Sequence, residues 1–448
     1  MKNVNRVIIA GTHSGCGKTL VTHALLECLK AQKLDVCAFK CGPDYLDTAF
    51  HRNLQNIDSY NLDSIFSSPE QLKSQLYNHS DKDISVIEGV MGYFDGVGEA
   101  LSGSTYNISK IIDTPVILVV NARGMYQSVI PLVKGFMDYK ESNIKGVILN
   151  RVSKSYYSNL KSLIEKEGIK VFGYIEENES FNFESRYLGL ITPLENEELK
   201  DKLSKLRESA SNTLDLDAII NHASTASTIE CNQKKTKKEK KNLRVAIAKD
   251  RAFSFIYSEN VDMLEENGCE IVYFSPMSDK ELPPNIDALY LVGGYPELYL
   301  RELSSNTKML EDVKNKIESG LPTIAECGGF LYLHKTLDNE KMANVIPYSA
   351  NKTKTLQNFG YSTLQATSDG IIMDEGDVIK AHEYHTYVSS GKFGDIIVEK
   401  MRSKKRYEDV IHTKSLYAGF PHLYFPSNPS IVDHFIKAMI NYRDTKKD

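Results

Sequence analysis

Tryptophan is absent from the chain, and no uninterrupted apolar run approaches the ~20 residues that a membrane-spanning helix needs. The amino-terminal stretch Met1–Arg6 is too short and too polar to read as a secretion signal. Seven cysteines, an odd number without a tight repeat, argue against a disulfide framework and for reduced thiols in a cytoplasmic protein. Neither sign of charge dominates, since 54 basic against 59 acidic side chains leave a net charge of −5. Nucleic acid and membrane surfaces are therefore not expected as partners. What remains is an ordinary globular composition, 41% hydrophobic and 25% charged. A chain of 448 residues exceeds the length at which one core stops growing, so about two to three domains are expected.

From Val7 to about Ile175 strand and helix patterns alternate. Short apolar runs at Val7–Ala10, Val36–Phe39, Ile84–Ile87, Val116–Val120 and Gly146–Leu149 are separated by amphipathic stretches such as Val21–Lys30 and Gln127–Tyr139. Near-continuous Val/Ile strands with helices between them imply a parallel sheet covered on both faces. Ligands then lie beyond the carboxyl ends of the strands. Residues 222–242 break the pattern: a Ser/Thr/Ala stretch leads into Lys234–Lys241, which holds six lysines and one Glu. This reads as a solvated tether joining a domain at 1–221 to one at 243–448. A second α/β series starts at Leu243–Ala248 and runs through Glu270–Phe274, Ala288–Val292 and Thr323–Ala325 into a β-rich tail.

The first chemical signal is Gly11-Thr12-His13-Ser14-Gly15-Cys16-Gly17-Lys18-Thr19, lying between an apolar strand and a helix. Gly15 and Gly17 allow a tight turn with inward N–H groups, and the helix adds its positive end, so the loop suits phosphate. Lys18 would reach the β- and γ-phosphates of ATP, and the Thr19 hydroxyl would sit on Mg²⁺. The standard spacing wants glycine at position 12, and Thr12 stands there instead, which makes this a variant P-loop. Asp44 and Asp47 follow the second strand in Lys40-Cys41-Gly42-Pro43-Asp44-Tyr45-Leu46-Asp47, and Glu88 ends the third. Acids so placed can hold Mg²⁺ or orient a carboxylate substrate. Asn150, after the strand ending at Leu149, can read an adenine edge or simply occupy a turn.

FKCGPDYLDTAFH and VIEGVMGYFDG, together with the P-loop, resemble the corrinoid-synthesis glutamine-dependent amidoligases, the cobyrinic acid a,c-diamide synthases. The likeness covers nearly the whole chain except the lysine-rich tether. The first half is also similar in outline to dethiobiotin synthetase. The resemblance implies a P-loop NTPase-type parallel sheet followed by a class I glutamine amidotransferase-like α/β domain. It also implies a corrinoid polycarboxylate, amidated at its a and c acetates, as substrate.

The second signal is Leu321–Leu333, read as strand, sharp turn and helix with Cys327 on the turn and Gly328-Gly329 after it. Such an elbow exposes a nucleophile at a helix start, where the helix dipole and a nearby imidazole would lower the thiol pKa. Backbone N–H groups of Gly328 and Gly294 can form the oxyanion hole. His422, in AGFPHLYF, resembles the histidine of class I glutamine amidotransferases, although Tyr424 stands where many of those carry Glu. A Cys–His dyad, or an orienting group from elsewhere, is implied. His382, Glu383 and His385 belong to the family pattern too, and contact with corrin carboxylates or a domain interface is expected of them rather than metal binding.

The two signals complement each other. A carboxylate must be phosphorylated before ammonia can displace oxygen, and ammonia is best released close by from glutamine. The sequence thus predicts an ATP- and Mg²⁺-dependent, glutamine-hydrolysing amidoligase with Cys327 and His422 in the glutaminase. A homodimer is left open. Competing readings are the same chemistry on hydrogenobyrinic acid or nickel sirohydrochlorin, and a ParA/MinD-like partitioning ATPase, which would have no glutaminase.

Overall fold

The computed structural model describes residues 2–98, 101–181, 197–231 and 241–446. They form two compact units, Met1–Lys234 and Lys235–Asp448.

The first unit is built on seven parallel strands: β1 (Arg6–Gly11), β2 (Val36–Cys41), β3 (Ser59–Leu62), β4 (Ile84–Glu88), β5 (Val116–Asn121), β6 (Ile144–Asn150) and β7 (Lys170–Ile175). Their order across the sheet is β3-β2-β4-β1-β5-β6-β7, with every neighbouring pair parallel. Alternate residues of β1 feed opposite faces. Ile8 and Ala10 pack with Leu118 and Val120, while Val7 and Ile9 pack with Val21 and Leu25 of the helix Lys18–Ala31. A strand sealed on both sides in this way must be apolar throughout, which is why the pattern was legible. The edge strand β3, with the sequence Ser-Tyr-Asn-Leu, carries no such signature.

The expected tether begins later than position 222. His222 and Ala223 close the helix Leu216–Ala223, and Ile229 is buried against the first unit while pairing with Lys2. Most of the lysine-rich run, 232–240, lies outside the described residues.

The second unit has a six-stranded sheet in the order Cys269–Phe274, Leu243–Ala248, Ala288–Leu291, Thr323–Glu326, Leu416–Gly419, Ile411–His412. All are parallel except the last pair. A largely antiparallel sheet is added by the long strands Ile346–Ala366 and Val378–Ser389. The short strand His422–Leu423 joins this second sheet three residues after Gly419 leaves the first. The β-rich tail ends in a helix, Ser430–Thr445, whose face Ile431, Phe435 and Met439 is buried. Among the described residues no helix is long and apolar enough to cross a membrane.

Candidate active sites

The loop after β1 adopts the conformation its glycines permit. Gly15 and Gly17 have φ of +82° and +98°, and a Cβ at Gly15 would meet nothing within 4 Å, leaving the loop face open. Asn150 packs under the loop: its Nδ2 donates to Cys16 O at 2.9 Å and its Oδ1 accepts from Arg151 N at 3.0 Å. It is buried at 1% exposure, and a Cβ on Gly17 would fall 1.8 Å from its Nδ2. Asn150 therefore braces the phosphate loop, using one N–H and one lone pair of its amide on backbone. Thr12 Oγ1 pairs with His13 Nδ1 at 2.9 Å.

Beside the loop is a buried charge cluster. Thr19 Oγ1 donates to Glu88 Oε1 at 2.6 Å, Lys18 Nζ lies 4.0 Å from the same oxygen, and Lys40 Nζ donates to it at 2.8 Å. Lys40 also pairs with Asp47. Burial alone would raise Glu88, but Lys40 and then Lys18 outweigh it and hold the carboxyl at about 2. Lys40 was missed in the sequence. A lysine in an otherwise apolar parallel strand, Val-Cys-Ala-Phe-Lys-Cys, was the available signal.

Asp44 is placed differently from Asp47. It caps the helix Tyr45–Asn53, accepting from Leu46 N at 2.9 Å and Asp47 N at 3.4 Å, and burial followed by the charge on Asp47 pushes it up to about 6. Among the described residues Asp44, Asp47 and Glu88 do not close into a cluster of metal-ligand spacing; the group that does is two acids and a histidine, Asp374, Asp377 and His434. A Mg²⁺–nucleotide needs only one or two protein oxygens besides phosphate. Thr19 and Glu88 fit that demand, and Glu88 Oε2 is buried without a hydrogen-bond partner among the described residues.

In the second unit Cys327 stands on the expected elbow, with φ 47° and ψ −100° between the strand Thr323–Glu326 and the helix Gly328–Leu333. A positive φ on a non-glycine residue is strained and is held by its surroundings. Here the Cys327 N–H donates to Gly419 O at 2.8 Å. Gly328 lies against Gly294: a Cβ there would sit 2.7 Å from Gly294 N, so the two proposed oxyanion donors share one spot. The thiol is not lowered. Burial first, then Glu297, push it well above its ordinary value, with only the Gly328 N–H opposing. The expectation of a thiol near neutrality is thus corrected for the resting site.

His422 is reached through the strand that pairs with the nucleophile strand, since Glu326 is aligned with Gly419. Its ring packs on Gly293, where a Cβ would fall 2.3 Å from His422 Cε1. The carboxylate beside the ring is Glu326, immediately before Cys327. Its Oε2 lies 3.6 Å from His422 Nδ1 and its Oε1 accepts from Leu423 N at 3.0 Å. Buried Asn260 fixes the same loop, donating to Leu423 O at 2.8 Å and accepting from Phe425 N at 2.8 Å. Tyr424, where a Glu was looked for, is fully buried.

The His382–His385 cluster supports this loop. His382 is aligned with His422, and burial first, then His422, lower it to about 3. Glu383 accepts from Ser362 Oγ at 3.1 Å and Lys400 Nζ at 3.4 Å and from the Tyr407 hydroxyl. His385 Nε2 lies 3.4 Å from Glu383 Oε2, and its ring stacks on Phe420 with centroids 3.7 Å apart. Glu383 is thus tied to internal partners, while among the described residues His382 Nδ1 and His385 Nε2 are buried without a hydrogen-bond partner.

Residues 7–188 match a family model described as the CobQ/CobB/MinD/ParA nucleotide binding domain, and residues 244–430 one described as the CobB/CobQ-like glutamine amidotransferase domain. Fold, sites and matches define the class: a nucleotide-dependent ligase that carries its own glutamine amidotransferase domain. A protein of Caldanaerobacter subterraneus subsp. tengcongensis is 38% identical over 93% of this chain and 94% of its own. One of Clostridium acetobutylicum is 37% identical over 96% and 99%, and one of Methanocaldococcus jannaschii 36% over 98% and 99%. All three are named cobyrinate a,c-diamide synthase, and the chain belongs to that family. The partitioning-ATPase reading does not account for the second unit.

Proposed function

We propose that the chain converts the a and c acetate carboxylates of cobyrinic acid to amides, using ATP and glutamine. A single observation carries the reading: one chain holds a P-loop whose Lys18 and Thr19 meet Glu88 and a Cys327 elbow where Gly328 lies against Gly294. In the first unit a carboxylate oxygen attacks the γ-phosphorus, the bond to the β-bridging oxygen breaks, and ADP leaves an acyl phosphate. Lys18 and the loop N–H groups stabilise the charge of the transferring group, since such catalysis is mostly positioning and electrostatics. Thr19 and Glu88, with Asp47 behind them, would hold Mg²⁺, which when bound neutralises phosphate charge.

In the second unit Cys327 Sγ attacks the glutamine carboxamide carbon while the thiol proton passes to His422. The oxyanion meets Gly294 and Gly328 N–H. His422 returns the proton to the departing ammonia, and water then hydrolyses the thioester to glutamate. Ammonia attacks the acyl phosphate and phosphate leaves, giving the amide. His422 must take the proton during donor binding, because the resting thiol is held up by burial and Glu297. The test is incubation with ATP, glutamine and a panel of carboxylated tetrapyrroles, read by mass spectrometry. Two carboxyl-to-amide shifts on cobyrinic acid support the reading, and amidation confined to another tetrapyrrole overturns the substrate.

A further inference from the structure

The strand Val378–Ser389 buries every second residue from Ile379 to Tyr387. The alternate set, Val378, Lys380, His382, Tyr384, Thr386 and Val388, points the other way and is exposed or half-buried. A solvated strand face is ordinarily polar, yet this one carries rings. Tyr384 is 48% exposed, and Phe359, on the paired strand Ile346–Ala366, is 58% exposed. The ring centroids of Phe359 and Tyr384 lie 5.7 Å apart, those of Phe359 and His382 5.8 Å, and those of Tyr361 and His382 5.3 Å, all edge to face. Contacts of this geometry hold the rings together as one surface. Exposed apolar surface gathered in one place marks a binding face.

Charge decides what covers it. Between Ala350 and Ala366, and between Val378 and Ser389, the single acid is Glu383, which is buried and bonded to Ser362, Lys400 and Tyr407. Lys352, Lys354 and Lys380 are exposed, and Lys380 shares the outward face of His382 and Tyr384. Lys400 donates to the backbone oxygens of Asn358 and Gly360 and so fixes the bend that carries Phe359. A second copy packed here about a two-fold axis would set these lysines against their equivalents, with no exposed acid on either strand to meet them. A polycarboxylate built on a large apolar ring answers both the aromatic surface and the cations at its rim. The face also runs to the glutaminase, because His382 is aligned with His422 and aligned residues share one side of a sheet. Nδ1 of His382 is buried with no partner among the described residues, and an atom of that kind is usually completed by a ligand or water.

We propose that this face of the second unit, Phe359, Tyr361 and Tyr384 with Lys380 at the rim, is the docking surface for the macrocycle of the amidation substrate, an inference that rests on the acceptor being a carboxylated tetrapyrrole. The rings take the apolar macrocycle out of water, and the lysines attract its carboxylates. Because the face runs to His422, the acceptor is gathered beside the place where ammonia is released.

Phe359→Ala combined with Tyr384→Ala removes two exposed rings and leaves the core intact. In the full chain, with ammonium salt as nitrogen source, KM for cobyrinic acid should rise about 10- to 100-fold, the range for a flat ring that loses its aromatic partner, while KM for ATP is unchanged. Equilibrium dialysis of cobyrinic acid against the same protein, without ATP or glutamine, should show the same loss of affinity. Phe359→Tyr combined with Tyr384→Phe keeps the rings and should keep the affinity. Lys380→Glu should weaken binding more at low ionic strength than at high. Unchanged acceptor affinity in the alanine variant would overturn the proposal, and sedimentation would then show whether a second copy covers the face instead. Equal rises in KM for ATP and for the acceptor would also overturn it, by assigning the rings to packing within the chain. If the wild-type protein amidates a different tetrapyrrole, the cobyrinic acid reading falls, and a matching rise in KM for that compound still upholds the docking surface.

Discussion

Oε2 of Glu326 lies 3.6 Å from Nδ1 of His422, with both side chains at 1% exposure. The acid nearest the imidazole therefore comes one residue before Cys327 in sequence, while Tyr424 stands two residues after the histidine. The separation is slightly beyond a hydrogen bond, and such contacts often tighten only when substrate binds. Replacing Glu326 by Gln should lower glutamine-dependent kcat by about 10²–10⁴-fold, the range for losing the group that sets a catalytic imidazole's tautomer. Ammonium-dependent amidation should be unaffected, and steady-state assays with both nitrogen sources check this. Equal loss with both sources would assign Glu326 to folding.

Gly293→Ala tests the seat of the imidazole. A Cβ there would come within 2.3 Å of His422 Cε1, closer than carbon atoms approach, and the ring is packed too tightly to move away freely. Glutaminase turnover should fall by about tenfold or more, since small misplacement of a catalytic group is expensive. Ammonium-dependent synthesis should be retained. Unimpaired glutamine turnover would show that the ring does not sit there during catalysis.

Lys40→Met tests the buried cluster of the first unit. Lys40 pairs with Asp47 and Glu88, and it is the main reason Glu88 is held at about 2 despite burial. A depressed carboxylate contributes stability that is present above its unfolded pKa and lost as pH falls toward the folded value, so the native protein should lose this contribution only below the usual carboxylate range. Without Lys40 the sign reverses. Burial raises the acids above their unfolded values, and stability should then fall as pH rises through about 5 to 8. At neutral pH the loss should be about 3–5 kcal/mol, as for breaking other buried pairs. Thermal unfolding of both proteins across that range gives the answer, and parallel Tm-versus-pH curves would contradict the argument.

Much of this was readable beforehand, for physical reasons. Strands such as Val116–Asn121, buried on both faces, have to be apolar, and an elbow at Cys327 needs the small residues Gly328 and Gly329, where a Cβ would strike Gly294 or Leu291. Lys40 and Glu326 were not recognised, because a buried charge looks like any strand-end polar residue until its partners, here 48 and 96 positions away, are brought beside it. Asn150 was placed at the right strand end, and its partner Cys16, 134 residues earlier, could not be guessed. The thiol's resting state was misjudged for the same reason: Glu297 is 30 residues upstream, and only the fold sets its charge against Cys327.

The central claim is a division of labour between nitrogen release at Cys327 and carboxylate activation at Lys18. It is tested most directly by measuring amide formation by Cys327→Ala with glutamine and, separately, with ammonium salt, alongside Lys18→Ala. The account predicts that the cysteine variant loses glutamine-driven synthesis and keeps ammonium-driven synthesis, and that the lysine variant loses both. A cysteine variant that ammonium cannot rescue, or a lysine variant with full activity, would contradict it.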